Sequence, residues 1–242
     1  MNRSIKIFSS ANEVAERFAE EFKRMITDSL HDNKTFTVAL SGGSTPELLF
    51  SVLGDKYSKS IPWEYVHFFW GDERCVPPDD PQSNYGMAFR KLFEKIEIPT
   101  SNIHRIAGEM DPKKEASRYS DEISAFTRTR DGLPEFDLIL LGLGDDGHTA
   151  SIFPENMELL NSLKICVVSS HPVTKQKRIT ITGRVINNAD YVIFLVTGKK
   201  KATIVEKIIN KDNYTLNFPA GNIVPVYGNL SWCLDEDAGS LL

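Results

Sequence analysis

Four apolar runs in this chain each stop abruptly at a short polar loop. TFTVAL (35–40) leads into SGGSTP, YVHFFW (65–70) into GDERCVP, FDLILL (136–141) into GLGDDGH, and YVIFLVT (191–197) into the TGKKKA loop. Runs of this length, rich in β-branched and aromatic residues, read as buried strands. Between them lie stretches with helical apolar spacing. Ala11–Leu30 places Val14, Phe18, Phe22, Met25, Ile26 and Leu30 on one face, with Ser10 as N-cap and Glu13 completing a capping box. Further helices are expected from Pro46 to about Leu53, over Asn84–Phe93, Pro112–Arg128 and Lys199–Ile209. Short strands are expected at Ile5–Phe8, Ile165–Ser169 and Arg178–Thr182. Ile223–Tyr227 reads as a final strand or a packed extended segment.

Strands alternating with helices predict an α/β fold: a doubly wound, mostly parallel sheet with helices on both faces, Rossmann-like. Ligands of such sheets sit at the carboxyl ends of the strands. The four loops are therefore expected to converge on one edge.

Composition narrows the class. The chain has 242 residues, 41% apolar and 25% charged, with a formal net charge of −5. That length suits one large domain or two small ones at roughly 100–200 residues each, and no linker or repeat divides it. A mildly acidic chain is poorly suited to non-specific nucleic-acid binding. No apolar run approaches the ~18 residues of a membrane span, and MNRSIKIFSS lacks the apolar core of a secretory signal. Cys75, Cys166 and Cys233 show no metal or CxxC spacing and read as reduced thiols of a cytoplasmic protein.

Each loop has its own chemistry. In Ser41–Pro46 two glycines and three hydroxyls stand between a strand and a helix N-terminus, where free N–H groups and the helix dipole favour an anion such as phosphate. No GK[ST] follows, so it is not a Walker A loop. Gly71–Pro77 carries Arg74, which can fork onto a phosphate, beside Asp72 and Glu73, which make a plain salt bridge equally admissible. Gly142–Gly147 matches GxGxxG but is not read as a dinucleotide site. Asp145 and Asp146 would oppose a pyrophosphate, Pro154 cuts off a long helix, and no acidic residue ends a second strand about 20 residues on. His148 follows those two acids at a strand end, and a carboxylate-oriented imidazole there can act as a general base. His31, His67, His104 and His171 lack such neighbours in sequence and receive no role. Thr197–Ala202 offers three lysines that can reach an anion, and Arg178 at the head of RITIT points the same way. There is no GxSxG elbow, no HExxH and no zinc-type spacing. The loops together predict a phosphate-binding site that uses His148 without a metal or cofactor.

SGGSTP, WGDERCVPPDDPQSNYGMA, FDLILLGLGDDGHTASIFP, RITIT, VTGKKKA and FPAGNI…WCLDEDA occur here in the order found in 6-phosphogluconolactonases. From about Ser10 to Ala238 the chain resembles that family, which belongs with the glucosamine-6-phosphate deaminases. In the deaminases the residues after DGH read more like AFNEP, whereas TASIFP is the lactonase form. One departure is a missing proline in Gly183–Asn188, outside the four loops.

The resemblance implies a single 6-phosphogluconolactonase domain over residues 1–242, with the fold of glucosamine-6-phosphate deaminase. It implies hydrolysis of 6-phospho-D-glucono-1,5-lactone in the pentose phosphate pathway. His148 is then the base, with Asp146 or Asp72 orienting it. Gly43, Ser44, Thr45, Arg74, Lys201 and Arg178 match phosphate-binding positions. The expected partner is a small sugar-phosphate lactone, with no nucleic acid or membrane partner and a monomer slightly favoured. The rival expectations are a deaminase and a non-catalytic sugar-phosphate sensor. For the sensor, no helix-turn-helix appendage or long basic stretch is present.

Overall fold

The computed structural model describes residues 2–31, 35–210 and 215–242. The chain runs through β1 (Asn2–Phe8), α1 (Ala11–His31), β2 (Phe36–Leu40), α2 (Ser44–Lys56), β3 (Val66–Trp70) and β4 (Asp72–Arg74). It continues with α3 (Asn84–Lys91), α4 (Pro112–Phe126), β5 (Arg128–Arg130), β6 (Leu133–Glu135), β7 (Leu138–Leu141), β8 (Cys166–Ser170) and β9 (Lys177–Ile181). The last elements are α5 (Gly183–Ile186), β10 (Tyr191–Val196), α6 (Ala202–Ile209) and β11 (Asn229–Asp235).

Six strands form one sheet in the order β1-β11-β10-β7-β2-β3, and every pairing in it is parallel. Its two faces are covered by different helices. Phe36 on β2 meets Phe22 of α1 edge-on at 5.9 Å between centroids. On the other face, Phe69 of β3 packs on Tyr119 of α4 at 6.4 Å. The central strands are buried throughout, which is why FTVAL and LILL read as unbroken apolar runs. The doubly wound expectation therefore holds for this sheet.

Local chemistry sets the helix ends. Ser10 Oγ accepts from Glu13 N at 3.3 Å, as the capping motif predicts, but the Glu13 carboxylate turns back to Ser9, accepting from its N–H and hydroxyl. Asp111 caps α4, accepting from Lys114 N at 3.0 Å, with Pro112 in the first turn.

Several details differ from the sequence reading. The predicted strands at 165–169 and 178–182 exist as β8 and β9, but they join β4 in a separate antiparallel sheet, β4-β9-β8. Residues 72–74, read as loop, thereby become a strand. Lys199–Lys201 form a tight 3₁₀ turn, so helix α6 starts only at Ala202. Ile223–Tyr227 forms no strand: Pro225 lacks a backbone donor, the chain bends at 226–228, and Val224, Val226 and Tyr227 are exposed; the last strand is β11. β11 inserts between β1 and β10. Its polar residues hid it: Ser231 is satisfied by the Ser4 hydroxyl at 2.8 Å, while Trp232 stacks on Phe194 at 4.0 Å.

No helix among the described residues is long and apolar enough to cross a membrane. The three cysteines are free thiols. The His31 side chain lies outside the described residues.

Candidate active site

Because β2, β3, β7 and β10 all run the same way, their carboxyl ends open onto one edge, and the four loops meet there. They line a cleft of about 240 Å³ whose walls include Ser44, Thr45, Arg74, His148, Arg178 and Lys201.

The first loop delivers a helix N-terminus. Gly43 is the N-cap of α2 at φ +106°, a backbone angle that L side chains rarely adopt. No side chain caps this helix, which leaves first-turn N–H groups facing the cleft. Thr45 Oγ1 lies 2.8 Å from Thr197 Oγ1, tying the loop to the one after β10. The Asp235 carboxylate braces that latter loop, accepting from Gly198 N at 2.9 and 3.0 Å.

The third loop places the histidine. His148 Nδ1 lies 2.5 Å from Asp146 Oδ1, and the same oxygen accepts from His148 N at 3.0 Å. With Nδ1–H donating to the carboxylate, Nε2 carries a free lone pair. Burial pushes the Asp146 carboxyl up, but the hydrogen bond and charge of His148 outweigh it and hold the group below its ordinary value. Gly144 has no side chain where the imidazole lies; a β-carbon there would overlap the His148 ring. The glycine of the GxGxxG pattern thus makes room for His148. Phe153 flanks the ring at 4.7 Å between centroids.

Asp72, the other candidate to orient His148, has different partners. It is buried, accepts from Ser151 Oγ at 2.6 Å, and faces Arg178 Nη1 at 3.9 Å. Glu73 binds the start of α3: its carboxylate accepts from the N–H groups of Asn84 and Tyr85, each at 2.8 Å. Burial still pushes the Glu73 carboxyl up, against the pull of these donors.

The cations converge from two sides. Arg74 and Arg178 are direct partners across β4 and β9, so their side chains leave the same face. Arg74 Nη1 donates to the Gln82 carbonyl. The Nε atoms of both arginines are buried and have no hydrogen-bond partner among the described residues. Such orphaned donors are costly unless an anion or water meets them. Lys201, from the loop after β10, lies 2.5 Å from Asp145 Oδ1. Lys199 and Lys200 are exposed.

All nine residues singled out for the site line the cleft or abut it. Gly43, Ser44, Thr45, Asp72, Arg74, His148, Arg178 and Lys201 are in its wall, and Asp146 touches it through His148. Sequence reasoning missed Asn84, Thr197 and Phe153. Asn84 lies in the wall, and its Nδ2 donates to the Asp72 carbonyl at 2.9 Å. Nothing local in SNY signals that, since its partner is 12 residues away on another element. His67 and His104 also have partners that spacing hid: His104 bridges His67 at 2.9 Å and Glu122 at 2.8 Å, but on the α4 face, not in the cleft. Among the described residues no group of three His, Cys, Asp or Glu side chains is placed to hold a metal ion.

Fold and site define an open parallel α/β protein whose strand ends carry a cleft lined by cations, an uncapped helix N-terminus and a carboxylate-paired imidazole. The family described as glucosamine-6-phosphate isomerases/6-phosphogluconolactonase matches residues 9–232, and the chain belongs to that family. It is 42% identical over 236 residues to a 6-phosphogluconolactonase of Aggregatibacter actinomycetemcomitans, covering 97% of this chain and 98% of that one. A crystal structure described as the devB protein superposes with a TM-score of 0.93 at 41% identity, covering 98% of each chain. The 6-phosphogluconolactonase from Trypanosoma cruzi superposes with a TM-score of 0.85 at 29% identity, over 100% of this chain and 98% of that one.

Proposed function

We propose that this protein is a lactone hydrolase converting 6-phospho-D-glucono-1,5-lactone to 6-phosphogluconate in the pentose phosphate pathway. The observation that carries the reading is the His148–Asp146 pair, 2.5 Å apart, at a cleft also lined by an uncapped helix N-terminus and by cations. Relatives named 6-phosphogluconolactonase, similar along nearly their whole length, support it.

In this mechanism the phosphate docks on the N–H groups of Ser44 and Thr45, with Gly43 shaping the turn, and on Arg74 and Lys201. The anchor holds C1 of the lactone near His148 Nε2. Nε2 takes a proton from water as the water oxygen bonds to C1 and the carbonyl π electrons move onto oxygen. Asp146 keeps the imidazole in the right tautomer and stabilises the imidazolium. The tetrahedral intermediate collapses, the bond from C1 to the ring oxygen breaks, and Nε2–H protonates that oxygen. The acid formed loses its proton to solvent. Proton transfer of this kind supplies about 10²–10⁴-fold and positioning supplies more. An activated ester needs only water, a base and donors for the developing charge, so the chemistry requires no cofactor.

The same reading takes residues 1–242 as one domain, supported by one continuous cluster of buried side chains that includes residues of both α1 and β11. It places the protein in the cytoplasm as a monomer, which sedimentation in solution tests. Acid release from freshly made lactone, above the spontaneous rate, tests the activity itself.

A further inference from the structure

We infer that Arg178 binds the reacting C1 end of the substrate, as the donor to the carbonyl oxygen and then to the product carboxylate, and does not bind the phosphate. The inference rests on the lactonase reading and deepens it. Resemblance alone groups Arg178 with the phosphate cations, but its surroundings separate it from them.

Arg178 shares one aromatic ring with the base. Its guanidinium carbon lies 5.8 Å from the Phe153 centroid, and the His148 ring lies 4.7 Å from the same centroid. Arg74, its neighbour across the strands, turns the other way, to the Gln82 carbonyl. Lys201 pairs with Asp145, on the loop that carries His148. Arg178 and His148 thus flank one ring, Phe153, while Arg74 and Lys201 are each engaged by another partner.

The Arg178 side chain is 12% exposed, and its Nε–H has no partner among the described residues. Asp72 lies at 3.9 Å, close enough to orient the guanidinium but too far for a hydrogen bond. Ser151 fixes that carboxylate in turn at 2.6 Å. Asp72 is thus a positioning residue for Arg178, which explains why it contacts Ser151 and not His148. Burial pulls the guanidinium below its ordinary value, with Asp72 opposing, so a second anion beside it is favoured. Attack at C1 creates that anion twice: the alkoxide of the tetrahedral intermediate, then the carboxylate. A buried donor aimed where charge develops is the arrangement that stabilises such intermediates.

Two ligands with the same phosphate and different C1 ends test this: 6-phosphogluconate, with a carboxylate at C1, and sorbitol 6-phosphate, with a neutral alcohol there. Affinities are measured by calorimetry for wild type, Arg178→Gln and Arg74→Ala, with melting temperatures confirming that each variant is folded. Arg178→Gln is expected to weaken 6-phosphogluconate about ten- to a hundredfold, the range for losing a hydrogen bond to a charged group, while sorbitol 6-phosphate changes less than about twofold. Arg74→Ala is expected to weaken both alike. If Arg178→Gln weakens both ligands equally, or neither, the assignment is overturned. Lactone turnover by the wild type is measured alongside. An inactive wild type counts against the proposed function, and the ligand comparison alone decides Arg178.

Discussion

The His148 imidazole occupies the space where a side chain on residue 144 would stand, so Gly144 is a mould for the proposed base. Gly144→Ala must displace the ring or its loop. Displacements of about 1 Å at a reacting centre cost on the order of 10²-fold. The expected result is a kcat lower by about that factor with KM for the lactone little changed, read from steady-state kinetics. A fully active Gly144→Ala enzyme would mean that the observed ring position is not the working one.

Asp146 and Asp72 are separable by the same assay. Asp146→Asn keeps the shape of the side chain but removes the charge that faces His148 Nδ1, and its amide can present N–H where an acceptor is needed. A kcat loss of tenfold or more is expected, within the ~10²–10⁴ that general base catalysis supplies. Asp72→Asn leaves that pair intact, and its effect is expected to follow that of Arg178→Gln. Equal behaviour of Asp146→Asn and wild type would remove Asp146 from the mechanism.

Arg74 offers a different signature. Loss of a cation that holds the phosphate equally in ground and transition states raises KM and leaves kcat nearly constant. Arg74→Ala is therefore expected to raise KM about ten- to a hundredfold, as for a hydrogen bond to a charged group. Phosphate-free gluconolactone should be a poor substrate of the wild type. If it is used as well as the phosphorylated lactone, the anchor has no role.

Stability should fall in mild acid, and one cause is outside the cleft. Burial first, then the nearby His104 ring, lower the His67 pKa below its ordinary 6.5. The unfolded chain therefore binds more protons than the folded one once pH drops below 6.5, and stability falls from there toward the folded-state pKa. Thermal melts between about pH 7.5 and about pH 5.5 should show this loss, with a shallower slope in His67→Gln. An identical slope in the variant would assign the acid sensitivity to other groups.

What the sequence made legible was whatever is local in the chain. The four buried strands and their loops are each continuous segments, so their convergence followed from one rule about parallel sheets. His148 stood out because it follows two acids in the chain, but the choice between Asp146 and Asp72 as its partner stayed open until the 2.5 Å contact with Asp146 was seen. Asp72 could not be assigned from spacing, because its partners come from distant segments: Ser151 from the loop after β7, and Arg178 from β9, which the small antiparallel sheet sets beside β4. β11 was hidden for a related reason: its polar residues look unlike a buried strand until Ser4 and the loop backbone at Gly198 are seen to satisfy Ser231 and Asp235. Glu73 looked like a surface ion-pair partner, yet its acceptors serve the start of α3.

Whether His148 Nε2 activates water at C1 of a phosphate-anchored lactone is read from acid release by freshly generated 6-phosphogluconolactone near neutral pH, with no protein, with wild type and with His148→Ala. The wild-type rate is expected well above spontaneous opening, and the His148→Ala rate lower by about 10²–10⁴-fold while the variant still binds 6-phosphogluconate. A His148→Ala enzyme as fast as wild type, or a wild type no faster than the uncatalysed reaction, would contradict that mechanism.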